Sequence, residues 1–547
     1  MTMTIDTSNS SFALFRSKNR YYVDKTMLIA DMLKKNDNGV YLYTRPRRFG
    51  KSLNLSMLDA FFNIEYRGNT WFDGLEISDY HEYDEYKNKF PVIKLDLKGL
   101  SCNSLDEFRD SFRKAVQETF IQHEYLLSSD KLSDYWTRII ESVMSETISW
   151  VRIQTAVEDL CKMLFRHHGQ RAVVLIDEYD NAINKAFGTD FQDEMIEYLG
   201  MFLTNTLKSN DCLQMAYMTG VSQIPMSGMY SGLNNVIVDN VISGISRERF
   251  GFTESEVRSL LDYYNVSDRF DEVRNWYDGY RFGTADVYNP YSILRFIECG
   301  LKAAPYWINT SSDVPLRWML DHTNARGVPS IVSILSGGSS VEEVNMNVCF
   351  EDLRYKRIGA MFTLMLQSGY LKAEPIDDER YNISVPNREV MGALQDLLNK
   401  SLGLNHDLED DLITAFLDHD TGRMAETFDS ILNSASYFDC TEERYYAIMV
   451  LLSLRPLTKR YGMRSQVENG NGRIDILLTP TIEGMEPIVI EIKRTTKEDE
   501  LPEALDKALK QIRERRYYHG MKGKVTLMGM AFCGKVSSVR IEDAEIQ

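Results

Sequence analysis

Gly50-Lys51-Ser52 is the first group of residues in the chain whose types and spacing suit phosphate chemistry. A lysine can reach the β and γ oxygens of a nucleotide, a serine hydroxyl can ligate Mg²⁺, and a glycine lets the backbone approach closely. Further along, Asp177-Glu178 sets two carboxylates side by side. Asp177 suits holding Mg²⁺ opposite Ser52, and Glu178 suits polarising the water that attacks a γ-phosphate. A third group is Asp475 with Glu491 and Lys493, in the form Asp-x(15)-Glu-x-Lys. Metal-dependent phosphodiester cleavage needs clustered carboxylates for Mg²⁺ and a lysine to position or help deprotonate the attacking water. Each group also has a plainer reading: a structural helix start, a solvated turn, and the wet face of a surface hairpin.

Position decides between these readings, so the surrounding elements matter. Val40–Thr44 is a β-rich apolar run, and Leu53, Leu55, Met57, Leu58, Phe61 and Phe62 follow at helical spacing, which puts Gly50-Lys51-Ser52 where a strand turns into a helix. The unpaired N–H groups and positive dipole end of that helix would face a phosphate. Ala172–Ile176 reads as a buried strand that delivers Asp177 and Glu178 at its C-terminal end, where parallel α/β sheets bind ligands. Pro91–Leu97 and Leu213–Met218 read as further strands, and Thr219, at the tip of the latter, is a candidate sensor of the γ-phosphate. Strands separated by long helical segments (Ser104–Tyr125, Trp136–His168) predict a parallel sheet covered by helices. After Phe252 the pattern turns helical, with a helix and hairpin around Leu364–Val385 and a Gly-rich stretch, Val328–Ser340, that reads as a surface loop. A third unit begins near Asn405 with helices to Leu454, strands over Ser465–Leu478 and Pro487–Lys493, a helix over Leu501–Tyr518 and a last strand at Lys524–Ala531. In an extended strand Glu491 and Lys493 face one side while Ile490 and Ile492 face the other.

The wider string Arg45-Pro46-Arg47-Arg48-Phe49-Gly50-Lys51-Ser52-Leu53 has arginine where a standard phosphate loop begins with glycine. With Tyr22–Thr26, Asp177-Glu178-Tyr179-Asp180, Ser231–Asn235, Trp276–Tyr280, Tyr288–Ser292, Gln367–Leu371 and Pro386–Val390, it resembles the bacterial AAA-ATPase-like family that carries a C-terminal PD-(D/E)xK nuclease domain. The likeness runs from about residue 12 to about 518. It implies an α/β chain: a P-loop ATPase with a parallel sheet over 1–250, a helical lid with a winged-helix-like element over 251–404, and a restriction-endonuclease-like domain over 405–547. It also implies ATP and Mg²⁺ as cofactors, nucleotide contacts that include Arg45, Arg48 and Leu53, and Glu443 as the acid from the first helix of the nuclease fold. Glu468 resembles the acid before the Gly470–Gly472 turn. Gln511 and Tyr517 match the family's Gln-x(5)-Tyr, and with Arg513 and Arg516 on the same basic helix they are candidate phosphate contacts.

Other chemistry has little support. The eight histidines show no H-E-x-x-H or other metal-ligand spacing, and no G-x-S-x-G elbow or Cys–His signature points to acyl transfer. Seven cysteines with no C-x-x-C pair argue against a disulfide framework or a zinc ribbon. With 547 residues, 44% hydrophobic and 26% charged, the chain is too long for one core and reads as ordinary globular protein. A polar start, Met1 to Ser11, and the lack of any long apolar run lead to the expectation of a cytoplasmic protein without membrane contact. The net charge of −18 disfavours unspecific nucleic-acid binding, yet Lys507, Lys510, Arg513, Arg515 and Arg516 cluster around Glu514, as a solvated helix face or as a surface for phosphate. Two function classes stay open. One is an ATPase that controls a Mg²⁺-dependent nuclease on DNA or RNA, in defence against foreign DNA or the handling of mobile elements. The other is an ATP-driven switch whose nuclease-like unit only binds nucleic acid or a partner. Homo-oligomerisation is left open.

Overall fold

The structure, a computed structural model, describes residues 3–35, 38–223, 233, 235–307, 314–321, 328–335, 338–401, 406–434, 443–469 and 472–546. Five parallel strands form the first sheet: β1 (Val40–Thr44), β2 (Val92–Asp96), β3 (Ala172–Asp177), β4 (Leu213–Gly220) and β5 (Val236–Asp239), in the order β2-β3-β4-β1-β5. β1 and β3 are buried along their whole length, as strands covered by helices on both faces must be, and this is why they read as unbroken apolar runs. Tyr43 pairs with Thr219 and Asp96 with Asp177, so the C-terminal tips of neighbouring strands end together. The helix after β1, α1 (Lys51–Phe62), starts directly at those tips. β5 was not expected, since four edge residues, three half-buried and Asp239 buried, carry too little periodicity to be read.

Helices then dominate, among them Glu254–Tyr263, closed by a Thr253–Glu256 capping box, and Pro290–Glu298, capped by the Asn289 side chain. Two short strands, β6 (Tyr280–Phe282) and β7 (Ala285–Val287), form a hairpin between them. Val328–Ser340 is not the surface loop its glycines suggested: Val328–Leu335 is a helix that buries Ile331, Ile334 and Leu335, and Ser340 opens a strand. Apolar spacing outweighs glycines that stand beyond the helix end. The strands β8 (Ser340–Glu343), β9 (Lys372–Pro375) and β10 (Arg380–Ser384) form an antiparallel sheet in the order β8-β10-β9. Beside it lie α2 (Ile358–Ser368), buried on nearly every side, and α3 (Arg388–Ser401).

The last part opens with the helices His406–Leu417, α4 (Thr421–Ser434) and α5 (Glu443–Ser453). Its sheet runs in sequence order: β11 (Tyr461–Asn469), β12 (Gly472–Pro480), β13 (Ile488–Arg494), β14 (Gly523–Cys533) and β15 (Val536–Ile546). Only β13 and β14 are parallel among these neighbours, joined by the crossover helix α6 (Leu501–Glu514). α6 buries Leu505, Leu509 and Ile512 at i, i+4 and i+7, each worth about 1.5–3 kcal/mol of burial. Gly529 of β14 permits the close approach, since a Cβ there would lie 3.1 Å from Leu509. α6 stops at Glu514, short of the expected Tyr518, and β15 adds a strand after the one expected to be last. Its mixed polar sequence, VSSVRIEDAEI, gives little period-2 signal. One buried core runs through all these parts from Phe12 to Val539. No helix among the described residues is long and apolar enough to cross a membrane.

Candidate functional sites

Gly50 caps α1 at φ +81°, a conformation that favours glycine, although open space surrounds it. Arg48, two residues earlier, also lies in the left-handed region, and its guanidinium rests 4.4 Å from the centre of the Tyr291 ring. The buried Lys51 ammonium donates to the carbonyl oxygens of Arg45 (3.0 Å) and Pro46 (3.2 Å). Burial pulls its pKa below the ordinary lysine value, against the charges of Glu178, Asp180 and Asp177. The Ser52 hydroxyl donates to Asp177 Oδ2 at 2.7 Å, while the buried Asp177 Oδ1 has no hydrogen-bond partner among the described residues. Burial raises the Asp177 pKa and the Ser52 bond lowers it. An orphaned carboxylate oxygen beside a serine hydroxyl is a donor set that fits Mg²⁺. Glu178 takes φ +54°, which turns the chain sharply after β3, and it lines a cleft of about 560 Å³ together with Arg48, Gly50, Lys51, Ser52 and Leu53. That volume suits a small-molecule ligand. Thr219 is buried next to these tips, and its hydroxyl has no hydrogen-bond partner among the described residues.

Arg45 departs from its expected place at the nucleotide. Its side chain is fully buried, pairs with Asp239 at the end of β5 (3.0 Å), donates to the Asp239 carbonyl and lies over the rings of Phe250 and Phe282. A guanidinium clamped between two strand ends ties β1 to β5, and only the Arg45 carbonyl faces Lys51.

Asp180 escaped the sequence reading. It is 1% exposed, its Oδ2 accepts the N–H groups of Val221 (3.1 Å) and Ser222 (2.7 Å), and burial pushes its pKa up to about 6. The motif Asp177-Glu178-Tyr179-Asp180 was its only signal.

Residues of the middle part also reach the phosphate loop and the segment after β4. The Trp307 indole donates to the Arg47 carbonyl (3.3 Å), Ser222 Oγ donates to Gln367 of α2 (3.1 Å), and a Cβ on Gly369 would lie 2.8 Å from Pro46. Of the Ser231–Asn235 string, Ser231, Gly232 and Asn234 lie outside the described residues, as does the Glu468 side chain.

The third site forms where the β12–β13 ladder opens. Ile476 pairs with Ile490, and one step on, Asp475 Oδ2 accepts the N–H of Ile492 (2.9 Å) instead of continuing the ladder. Glu491 and Lys493 share a face, as their spacing required: Lys493 Nζ reaches Glu491 Oε1 (2.8 Å) and Glu443 Oε1 (3.3 Å). Glu443 is held there by α5, whose buried Tyr446 stacks on Phe532 of β14 (4.4 Å). Glu491 is 1% exposed, and its Oε2 has no hydrogen-bond partner among the described residues. Burial, then the charge of Asp475, push its pKa up to about 7. Among the described residues no three His, Cys, Asp or Glu side chains converge at ligand spacing. Two carboxylates, one with an orphaned oxygen, fit an ion such as Mg²⁺ that keeps several of its waters.

The basic helix is arranged differently from expectation. Tyr517 is 2% exposed and Gln511 Nε2 donates to both its hydroxyl (3.0 Å) and Glu491 Oε1, so this pair braces Glu491, and the Tyr517 side chain is buried where a phosphate contact was expected. Arg513 pairs with Glu542, and Arg516 stays exposed at the helix end.

Comparison with known proteins finds two unlike families in two separate segments of the chain. Residues 7–230 match the family described as Predicted AAA-ATPase, and residues 441–542 match the PD-(D/E)XK nuclease superfamily. A curated relative, an uncharacterized protein in the vnfD 5' region of Azotobacter chroococcum mcd 1, is 26% identical over 390 residues, which span 69% of this chain and 66%, just under two thirds, of the relative. A solved structure, the Aeropyrum pernix ORC2 protein in its ADPNP–ADP complexes, aligns over 68% of this chain and 91% of its own, at 8% identity and a TM-score of 0.24, too slight a likeness to carry weight. The chain thus joins an ATPase-like domain to a nuclease-like domain.

Proposed function

We propose that residues 1–250 bind and hydrolyse ATP with Mg²⁺, that 251–404 act as a helical lid with a winged-helix-like element, and that 405–547 cleave DNA or RNA with Mg²⁺ under control of the nucleotide state. The observation that carries this reading is a repeated one: Asp177 Oδ1 and Glu491 Oε2 are buried carboxylate oxygens without a hydrogen-bond partner among the described residues. Each belongs to a group that also holds a lysine, Lys51 or Lys493. Leaving a buried carboxylate oxygen unpaired costs ~1–3 kcal/mol or more, and Asp177 and Glu491, unlike Asp180, whose Oδ1 is also without a partner among the described residues, each stand in a group with a second oxygen ligand, Ser52 or Asp475, which supports a cation at both.

Ser52 and Asp177 would hold the first Mg²⁺, and Asp475 and Glu491 the second. Bound Mg²⁺ supplies positive charge against the charge that develops on transferred phosphate oxygens. The protein's own groups do the rest. Lys51 exchanges its two carbonyl acceptors for phosphate oxygens, Glu178 accepts the proton of the attacking water, and Thr219 offers its hydroxyl to the γ-phosphate. At the other site Lys493 orients the attacking water and Gln511 keeps Glu491 in place. Defence against foreign DNA or handling of mobile elements is the setting that suits such a pair of activities.

A second reading keeps ATP binding but makes the nuclease-like unit a binding module. It is favoured by the way Lys493 and Gln511 both occupy Glu491 Oε1. Incubating the purified chain with Mg²⁺, with and without ATP, against plasmid, linear and single-stranded nucleic acids tests the two. Cleavage that Asp475→Ala removes supports the nuclease, and nucleic-acid binding without cleavage under every condition supports the module.

A further inference from the structure

Asp177 and Glu178 have tasks at the end of β3, yet the acid buried deepest there is Asp180. Oδ2 of Asp180 takes three donors: the N–H groups of Val221 and Ser222, and the Asn184 side-chain amide at 3.0 Å. Oδ1 has no hydrogen-bond partner among the described residues. Asp180 and Glu178 share the wall of a small cavity of about 30 Å³ with Arg47, Asn181, Asn184 and Ser222. Val221, Pro315, Leu316 and Leu364 close its apolar side, and a cavity of this size has room for a water whose partners would be the polar groups of the opposite wall.

The neighbouring glycine shows how tightly the carboxylate is set. A Cβ on Gly220 would lie 2.5 Å from Asp180 Oδ1 and 2.7 Å from the Tyr179 ring. Gly220 does not have a positive φ, so the glycine is there for space and not for its backbone. The chain gives up a side chain next to Thr219 in order to press this carboxylate against the strand tip.

We propose that Asp180 is a positioning residue for ATP hydrolysis: Oδ2 pins the segment that follows β4, and Oδ1 accepts a hydrogen bond from the attacking water held between Asp180 and Glu178. The inference rests on the ATPase reading above. In the step it serves, the water oxygen forms a bond to the γ-phosphorus and the bond from that phosphorus to the bridging oxygen breaks, its electron pair leaving with ADP. One water proton passes to Glu178, and the other O–H is the one Asp180 orients.

Asp180→Asn separates this role from a structural clamp. The asparagine oxygen still accepts the Val221 and Ser222 amides, but its NH₂ then faces the cavity as a donor where the water needs an acceptor. Turnover of ATP with Mg²⁺ by the full chain is measured beside binding of a fluorescent ATP analogue and the melting temperature. The expected result is a kcat lowered roughly tenfold or more, with KM, analogue affinity and melting temperature near wild type. Gly220→Ala is the second variant, because its methyl displaces Oδ1, along with the Tyr179 ring, without changing any charge, and it should lower kcat in the same way while Tyr179→Phe, which drops the bond to the Ser222 carbonyl, should not. Should Asp180→Asn fail to fold, Gly220→Ala decides alone. Wild-type kcat in the folded Asp180 and Gly220 variants, or a kcat lost only in step with affinity and melting temperature, overturns the proposal. A wild-type chain that binds the analogue but never turns over ATP overturns the hydrolysis reading beneath it, and this one with it.

Discussion

The indole Nε1 of Trp307 donates a 3.3 Å hydrogen bond to the carbonyl oxygen of Arg47, inside the phosphate loop. The same residue's backbone N–H donates to Glu389 Oε1 at 2.6 Å, and Glu389 stands in the first turn of α3. α3 packs against α5, which presents Glu443 to Lys493. A continuous run of contacts therefore joins the phosphate loop to the Asp475–Glu491 site. Such a run carries coupling only if both ends bias one movable element. If α3 is that element, an ATP analogue should alter hydrogen exchange in α3 and in residues beyond 405, and Trp307→Phe should abolish those distant changes with little effect on nucleotide affinity. Protection confined to the phosphate loop would mean two independent modules.

Arg45 offers a test of stability. Its guanidinium and the Asp239 carboxylate are both out of reach of solvent. Removing one partner of a buried pair leaves the other charge uncompensated and costs ~3–5 kcal/mol. Arg45→Ala is expected to lower stability by about that amount in chemical denaturation. Any loss of nucleotide affinity should follow from unfolding, and a stable Arg45→Ala protein with ATP binding selectively lost would return Arg45 to the phosphate site.

Arg45 also shows what the amino-acid string can and cannot tell. Gly50-Lys51-Ser52 and Asp177-Glu178 are legible because each adjoins a short apolar run that has one structural meaning, a buried strand. The letter at 45 is the same whether the guanidinium faces a phosphate or Asp239, a residue far away in the chain. Tyr517 fails for a like reason, since a tyrosine at helical spacing is read as a contact until its burial under Gly472 is known, where a Cβ would lie 3.1 Å from its ring. Asp180 could not be ranked above any other loop acid, because its backbone amide partners come from the segment after β4 and its cavity is completed by residues as far away in the chain as Arg47, Leu316 and Leu364. β5 and β15 are edge strands, the first only four residues long and the second rich in polar letters, and periodicity is weakest where a strand is short or only one side of it is buried.

The junction at Glu389 should be visible in the pH dependence of stability. Burial pushes its carboxyl up to about 7, against the bonds from the Trp307 amide and the Ser292 hydroxyl. The folded chain thus binds this proton more tightly than the unfolded chain, whose value is near 4.5. Its contribution is fully present below about pH 4.5 and is lost as pH rises toward about 7, on the order of 3 kcal/mol at most. Glu389→Gln removes the titration. Melting temperatures across that range should fall less steeply for Glu389→Gln than for wild type, and parallel curves would show that the group does not carry the effect.

At the phosphate site, Lys51→Ala should abolish ATP binding, because the buried ammonium is the charge nearest to where the phosphates would sit. Glu178→Gln should keep binding and slow hydrolysis by about 10²–10⁴-fold, since it removes the proton acceptor but leaves Ser52 and Asp177 in place. Equilibrium binding and single-turnover hydrolysis distinguish the two variants. A Glu178→Gln protein that hydrolyses ATP at the wild-type rate would sink the assignment.

The Asp475–Glu491–Lys493 site gives the prediction that separates the two function classes. Lys493 bridges Glu491 and Glu443, Asp475 is bonded to the Ile492 amide, and Oε2 of Glu491 has no hydrogen-bond partner among the described residues. If that arrangement awaits Mg²⁺, the ion should bind through Asp475 and Glu491 and release Lys493 toward the substrate. Asp475→Ala should then remove both Mg²⁺ binding at this site and cleavage, with ATP hydrolysis unchanged. Lys493→Ala should slow cleavage by about 10²-fold or more while nucleic-acid affinity stays within a few-fold, because its charge acts on the reacting groups and not on the length of the backbone. Gln511→Leu should act on cleavage through Glu491, with a partial loss that higher Mg²⁺ concentrations restore, as expected for a group that orients a metal ligand. Calorimetric titration with Mg²⁺ and a gel-based cleavage assay read these outcomes separately. A wild-type chain that binds nucleic acid but takes up no Mg²⁺ at this site, and cuts nothing with or without ATP, would make the Lys493 bridge a permanent structural contact and the binding module the better account.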